Sequence, residues 1–204
     1  PDHRLTAIAP WGEGVVVGTE GGGLLLLGDL DGARPTLRAS VALSTERISD
    51  LAVGDGLLWV ATFGDGAFCG DPTDPAGFRA LGPSSGMNSR RVTSLVRLPG
   101  ELVAGTAGAG LWVRQDSGAS ERFVQKGGLI SDFILDLAPS GDGALAVGPG
   151  GASLYRRGVV STWTGGEGLP SGVLRAVGAD GRGRLRFGVA GGRMGRRGSA
   201  ETVA

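Results

Sequence analysis

Ile48-Ser49-Asp50-Leu51-Ala52-Val53, then Gly54-Asp55-Gly56, then Leu57-Leu58-Trp59-Val60-Ala61-Thr62 is the stretch on which the fold turns. Two runs of strand-forming residues flank a turn, and Asp-Gly supplies the positive φ that a tight hairpin requires. The phrase recurs at Ile8 to Thr19, Leu51 to Thr62, Leu95 to Thr106, Leu137 to Pro149 and Val177 to Val189. The small residue closing the second run of each copy is Gly18, Ala61, Gly105, Gly148 or Gly188, giving spacings of 43, 44, 43 and 40. Asp142-Gly143 and Asp180-Gly181 offer the same turn chemistry in later copies. A period of this length marks a repeat architecture, and the repeat decides the fold.

Each copy reads as four strands. Strand A holds the anchor Ile8, Leu51, Leu95, Leu137 or Val177, and strand B follows the hairpin turn. A second glycine turn, such as Gly21-Gly22-Gly23 or Gly108-Ala109-Gly110, leads to strand C, as in Leu24 to Leu27 or Leu111-Trp112-Val113. A more polar strand D lies near Thr36-Leu37-Arg38, Phe78-Arg79, Arg122-Phe123-Val124, Ser161-Thr162-Trp163 and Thr202-Val203. Inner strands apolar on both faces suit a sheet sandwiched between two neighbours, and a polar outer strand suits its rim. One such unit cannot bury both its faces, so the copies must stack. The expectation is an all-β fold: a β-propeller of five four-stranded blades of about 43 residues, in a single domain spanning residues 1–204. The blades run over about 4–43, 47–86, 91–128, 133–168 and 173–204. A β-sandwich would explain the strand number but not the period.

Composition agrees. Glycine makes up 41 of 204 residues, against a usual ~7%, with no Gly-X-Y period. Twenty basic residues balance twenty acidic ones, which gives no general pull toward nucleic acid or an anionic membrane. No stretch approaches 18 apolar residues, so no membrane insertion is expected. Cys69 is the one cysteine and His3 the one histidine, which leaves no thiolate zinc site and little basis for triad chemistry.

Further motifs precede the A strands. Gly86-Met87-Asn88-Ser89 comes before Val92-Thr93-Ser94-Leu95, and Gly128-Leu129-Ile130-Ser131 before Ile134-Leu135-Asp136-Leu137. Gly168-Leu169-Pro170-Ser171 comes before Val173 to Val177. With the turn, the Leu-Trp-Val strand and the Gly-Gly-Leu that follows it, these motifs resemble the two-component regulator propeller repeat family over nearly the whole chain. The resemblance implies a propeller acting as a ligand-sensing module outside the cytoplasm, periplasmic or secreted.

Blade phase bears on closure. The sequence begins in an A strand and ends in a D strand, so the ring closes by packing blade 1 on blade 5 unless the chain is part of a larger ring. Arg186 aligns with Trp59, Val16, Val103 and Ala146, which makes that seam the expected weak point. A monomer, or self-association through an incomplete seam, follows.

Candidate chemistry is sparse. Asp50 and Asp136 share one repeat position, just before the A-strand anchor, where they could reach the channel mouth. They are the carboxylates on which a small hydrolase or lyase would be built; the alternative is an acid bonded to neighbouring backbone between blades. Asp29-Leu30-Asp31-Gly32 and Asp71-Pro72-Thr73-Asp74 have calcium-like spacing without the remaining ligands, so no metal or cofactor is expected. The Gly21-Gly22-Gly23 and Gly150-Gly151 clusters open no helix and are not phosphate loops. Arg182, Arg184, Arg186, Arg193, Arg196 and Arg197 lack interleaved aromatics and read as a solvated or ion-paired face, without nucleic acid. Phe63 and Asp65 in a B-to-C turn, with Arg90, Arg91, Asp132 and Phe133 at D-to-A connections, share one face of a propeller. They are the candidate ligand-binding residues, suited to a protein segment or a glycan. The leading expectation is a non-catalytic recognition or scaffold module. The rivals are the hydrolase or lyase and a purely structural or designed repeat without a ligand.

Overall fold

A computed structural model describes residues 4–32, 34–43, 47–167, 169, 173–179 and 184–190. These form five antiparallel meander sheets. The first comprises β1 (Leu5–Trp11), β2 (Gly14–Thr19), β3 (Leu24–Gly28) and β4 (Thr36–Val41). The second comprises β5 (Ile48–Gly54), β6 (Leu57–Thr62), β7 (Ala67–Gly70) and β8 (Arg79–Leu81). The third comprises β9 (Val92–Leu98), β10 (Glu101–Thr106), β11 (Leu111–Gln115) and β12 (Ser120–Phe123). The fourth comprises β13 (Asp136–Ser140), β14 (Gly143–Gly148), β15 (Gly151–Arg156) and β16 (Val159–Thr164). The fifth has β17 (Val173–Ala179) and β18 (Leu185–Ala190). Four of the five expected blades are therefore four-stranded, and the last has two strands among the described residues. The outer strand expected at Thr202-Val203 lies outside the described residues, as do His3, Arg182, Arg193, Arg196, Arg197 and Asp180-Gly181.

The sheets stack in sequence order through their first strands, β1 on β5, β5 on β9, β9 on β13 and β13 on β17. The small residue near the end of strand B is explained by this stacking. A Cβ on Gly18 would lie 2.5 Å from Cγ2 of Ile48, and one on Gly105 would lie 2.6 Å from Cγ2 of Ile134. Ile48, Val92, Ile134 and Leu174, at the head of each later copy, are fully buried against the sheet before. Each such burial stabilises the stack by about 1.5–3 kcal/mol. Trp59 and Trp112 are buried between the second and third sheets, while Trp163 on the outer β16 is only partly covered. Arg97 lies 5.8 Å over the Trp59 ring and bonds Asp55 and Asp116 at the sheet rim.

Register corrects three details. Asp50 pairs with Ala61 and Asp136 with Val147, so the repeat equivalent of Gly18 in the fourth sheet is Val147, not Gly148. The steps Gly18, Ala61, Gly105, Val147 and Gly188 are then 43, 44, 42 and 41. By the same pairing Arg186 matches Leu145, not Ala146. In the Ser140–Gly143 turn the positive φ belongs to Gly141, at 61°, whereas Asp55 and Gly56 adopt it as expected at 54° and 72°.

The connections from D to the next A carry single 3-10 turns at Pro83–Ser85, Gln125–Gly127 and Gly165–Glu167. Gly86 and Gly128 end the first two in the left-handed region, where a glycine is favoured, and turn Met87 and Leu129 into the core. That is the structural content of the Gly-Leu motif.

The two end sheets do not meet among the described residues. No packing comparable to that between successive sheets joins the fifth sheet to the first among the described residues, and Leu5 and Ile8 of β1 are each 68% exposed. The fifth sheet presents an exposed Arg186 where earlier sheets present Val16, Trp59, Val103 and Leu145.

Candidate functional site

The B-to-C turns and D-to-A connections are hydrogen-bonded to one another and form one edge of the stack. Thr19, Thr62 and Thr106 close the first three B-to-C turns alike. Each hydroxyl donates to the carbonyl of Gly23, Gly66 or Gly110 at 2.7–2.8 Å and accepts an N–H from Gly22, Asp65 or Ala109 at 3.0–3.1 Å. Gly148 holds the threonine position in the fourth sheet and has no hydroxyl with which to make this clasp. The residue after each threonine bridges to the connection leading into a later sheet: Glu20 to Arg47, Phe63 to Arg91 and Ala107 to Phe133.

This arrangement places the expected binding residues at two neighbouring joints. At the first, the Arg91 guanidinium lies 5.7 Å from the Phe63 ring centre and the Arg47 guanidinium 5.8 Å from it. Arg90 donates to Gly64 O at 2.6 Å and to Asp65 Oδ1 at 2.7 Å. At the second joint, Asp132 is committed to the backbone. Its carbonyl accepts from Gly108 and Gly110, and its Oδ1 accepts from Gln125 N–H at 2.8 Å. Phe133 beside it lies against Gly108 and is 54% exposed; Phe63 is 38% exposed. Arg47 was missed from sequence, although it holds the repeat position of Arg91 and Phe133.

Below Phe63 and Arg47 lies a cavity of about 260 Å³, whose walls include Ser49, Asp50, Thr93 and Asp136. Both acids are shared between sheets. Asp50 Oδ1 accepts from Leu51 N–H at 2.8 Å and its Oδ2 from Leu95 N–H of the third sheet at 2.7 Å. Asp136 repeats the pattern, taking Leu137 N–H at 2.9 Å and Val177 N–H of the fifth sheet at 2.8 Å. Burial pushes the Asp50 carboxyl up to about 6, against the opposing pull of those two N–H groups, and the Asp136 charge adds to the rise. Burial likewise pushes Asp136 up. Ser49 donates to Val92 O at 2.5 Å, a further tie between the second and third sheets. The acids are thus staples, the reading in which a carboxylate bonds neighbouring backbone.

A larger cleft of about 780 Å³ opens at the opposite edge, among the A-to-B and C-to-D turns of the third and fourth sheets. Its Asp142 pairs with Arg156 and Arg157, and its Tyr155 donates to Glu101 at 2.9 Å. None of the candidate ligand-binding or catalytic residues named from sequence lines it. Asp29 bonds Thr36 and Arg38, and Asp71 bonds Thr73, so the two calcium-like runs are outer turns. Among the described residues no group of three His, Cys, Asp or Glu could hold a metal, and no helix is long and apolar enough to cross a membrane.

No family model and no curated protein matches the sequence. Solved structures do. The extracellular domain of the hybrid two-component system BT4673 of B. thetaiotaomicron superposes with a TM-score of 0.67 at 19% identity, over 91% of this chain and 26% of that one. That of BT3049, from the same organism, gives 0.64 at 17%, over 91% and 31%. These neighbours are propeller-like sensor domains. The fold is that of a β-propeller. The computationally designed protein Ika8 matches at 0.63 and 16% identity, over 85% of this propeller and 52% of its own chain. The propeller therefore spans between a quarter and a third of the two sensors it resembles.

Proposed function

We propose that this propeller is a non-catalytic recognition module whose ligand, a protein segment or a glycan, docks on the edge formed by the D-to-A and B-to-C loops. The observation that carries the reading is the exposed Phe63 ring with the Arg47 and Arg91 guanidiniums within 6 Å of its centre, and exposed Phe133 at the next joint. A ring with cations on it offers a stacking face for a sugar or an aromatic side chain, and it offers charge for a carboxylate. Asp65 holds Arg90 and Asp132 fixes the loop carrying Phe133, so the contact groups sit on a rigid frame. The similarity to extracellular domains of two-component systems supports a sensing role outside the cytoplasm.

A hydrolase or lyase using Asp50 and Asp136 is the second reading, favoured by the raised Asp50 carboxyl in a shared cavity. Against it, each acid spends both oxygens on backbone N–H groups. A glycan and peptide array followed by calorimetry on the hits separates the two. Binding without turnover, lost at least tenfold in Phe63→Ala and Arg91→Ala and retained in Asp50→Asn, supports recognition. Turnover abolished by Asp50→Asn overturns it.

A further inference from the structure

Two successive joints of the stack follow one plan and are filled differently at the rim opposite Phe63. Between the second and third sheets, Arg97 of β9 lies with its side chain only 8% exposed. Its guanidinium sits 5.8 Å from the Trp59 ring centre and bonds Asp55 of the second sheet. It also takes both oxygens of Asp116 of the third sheet, at 2.7 and 2.8 Å. A covered cation between carboxylates closes that rim.

Between the third and fourth sheets both fillers are small. Pro139 holds the repeat position of Arg97, and Val103 holds that of Trp59. The cleft of about 780 Å³ opens at this rim. Carboxylates line it where the earlier joint has other groups. Glu101 holds the position of Leu57, and Glu121, opposite Val113, holds that of Arg79, opposite Cys69. Buried Tyr155 on the facing sheet donates to Glu101 at 2.9 Å. Burial pushes the Tyr155 hydroxyl up to about 12; the bond and charge of Glu101 add to the rise, and so does the charge of Glu121. Both carboxylates therefore act on one place.

Neither has a cation. Asp116 is held by Arg97, and Arg156 and Arg157 are both held by Asp142 on the far wall. Glu121 makes no hydrogen bond or ion pair among the described residues. A metal is not the matching charge, since no group of three His, Cys, Asp or Glu could hold one among those residues. A guanidinium is: it is planar, weakly hydrated, and binds carboxylates through a fork of donors, as Arg97 does one joint earlier. We propose that this cleft receives an arginine side chain of a partner protein segment, with its guanidinium taken by Glu101 and Glu121. The volume exceeds that of one side chain, leaving room for the residues on either side of it in an extended segment.

Proton–nitrogen correlation NMR of the full chain with acetyl-Gly-Arg-Gly-amide, from about 0.1 to 20 mM, tests this. The expected result is saturable shifts at the amides of Glu101, Glu121 and Gly158. The citrulline counterpart, of the same shape without the charge, binds at least tenfold more weakly. Glu101→Gln and Glu121→Gln each weaken the arginine probe at least tenfold while the far-ultraviolet dichroism stays unchanged. Phe63→Ala leaves it unchanged, because Phe63 stands on the opposite edge. Replacing Arg193, Arg196 and Arg197 together by alanine also leaves it unchanged. Absence of shifts at the cleft amides, equal binding of the citrulline probe, or binding that survives both glutamine substitutions overturns the proposal. A tenfold gain in the triple arginine variant means that this chain's own arginines take the place of a partner's, and overturns it equally.

Discussion

Raising the pH from 4 to 8 should weaken the junction of the second and third sheets, and Asp50 should be the reason. Its carboxyl rises from an ordinary 3.8 to about 6, chiefly through burial. Below 3.8 both the folded and the unfolded chain hold this proton, and the contribution to stability is complete. Between 3.8 and 6 the folded chain keeps the proton that the unfolded chain releases, so stability falls as pH rises. Above 6 both are ionised and the loss is complete. The difference corresponds to about 3 kcal/mol at ~1.4 kcal/mol per pKa unit, or about 6–12 °C in Tm for a domain of this size. Asp136 acts in the same direction. Urea unfolding across this range, with Asp50→Asn alongside, isolates the effect. The variant should lose most of the slope between pH 4 and 6.5. Its amide can accept only one of the Leu51 and Leu95 N–H bonds, so at pH 5 it should also be less stable than the parent, by about 1–3 kcal/mol. Carboxyl resonances followed by carbon-13 NMR give a direct reading. An Asp50 titration at or below 3.8, or a slope that Asp50→Asn leaves intact, refutes the reasoning.

Other expectations are open to measurement. Trp59→Ala should cost about 3–5 kcal/mol in denaturant unfolding, the range for emptying a core aromatic site, and a loss below about 1 kcal/mol would contradict its burial between sheets. Thr62→Val removes a buried hydroxyl that holds both ends of its turn and should cost about 1–3 kcal/mol, with faster exchange at the Asp65 amide; unchanged exchange would show that the clasp does not hold the turn. The amides of β1 should exchange sooner than those of β9 and β10, which are covered on both faces. Equal protection would mean that the first sheet is as well supported as the third.

Strand identity and order were legible because their causes are local. Alternating apolar runs, the Asp55-Gly56 turn and the recurring small residue at the end of strand B each act within one sheet or on the head of the next. Burial of Trp59 and Trp112 followed from their place on inner strands, and the shared edge of the B-to-C and D-to-A loops followed from the meander. Register in the fourth sheet did not, since Val147-Gly148 offers two residues for one position and only pairing to Asp136 selects Val147. The acids were found by repeat position, but which backbone N–H each accepts depends on how closely the next sheet approaches. The approach of Arg47 and Arg91 to Phe63 likewise depends on two connections from different repeats meeting. The period of the repeat required the sheets to stack. Whether the last sheet reaches the first depends on the rotation accumulated across every interface and on the chemistry of the two end faces, and no local pattern encodes that sum. The sequence alone determined what each sheet is; tertiary structure decided what lies between sheets, and it leaves Leu5 and Ile8 uncovered.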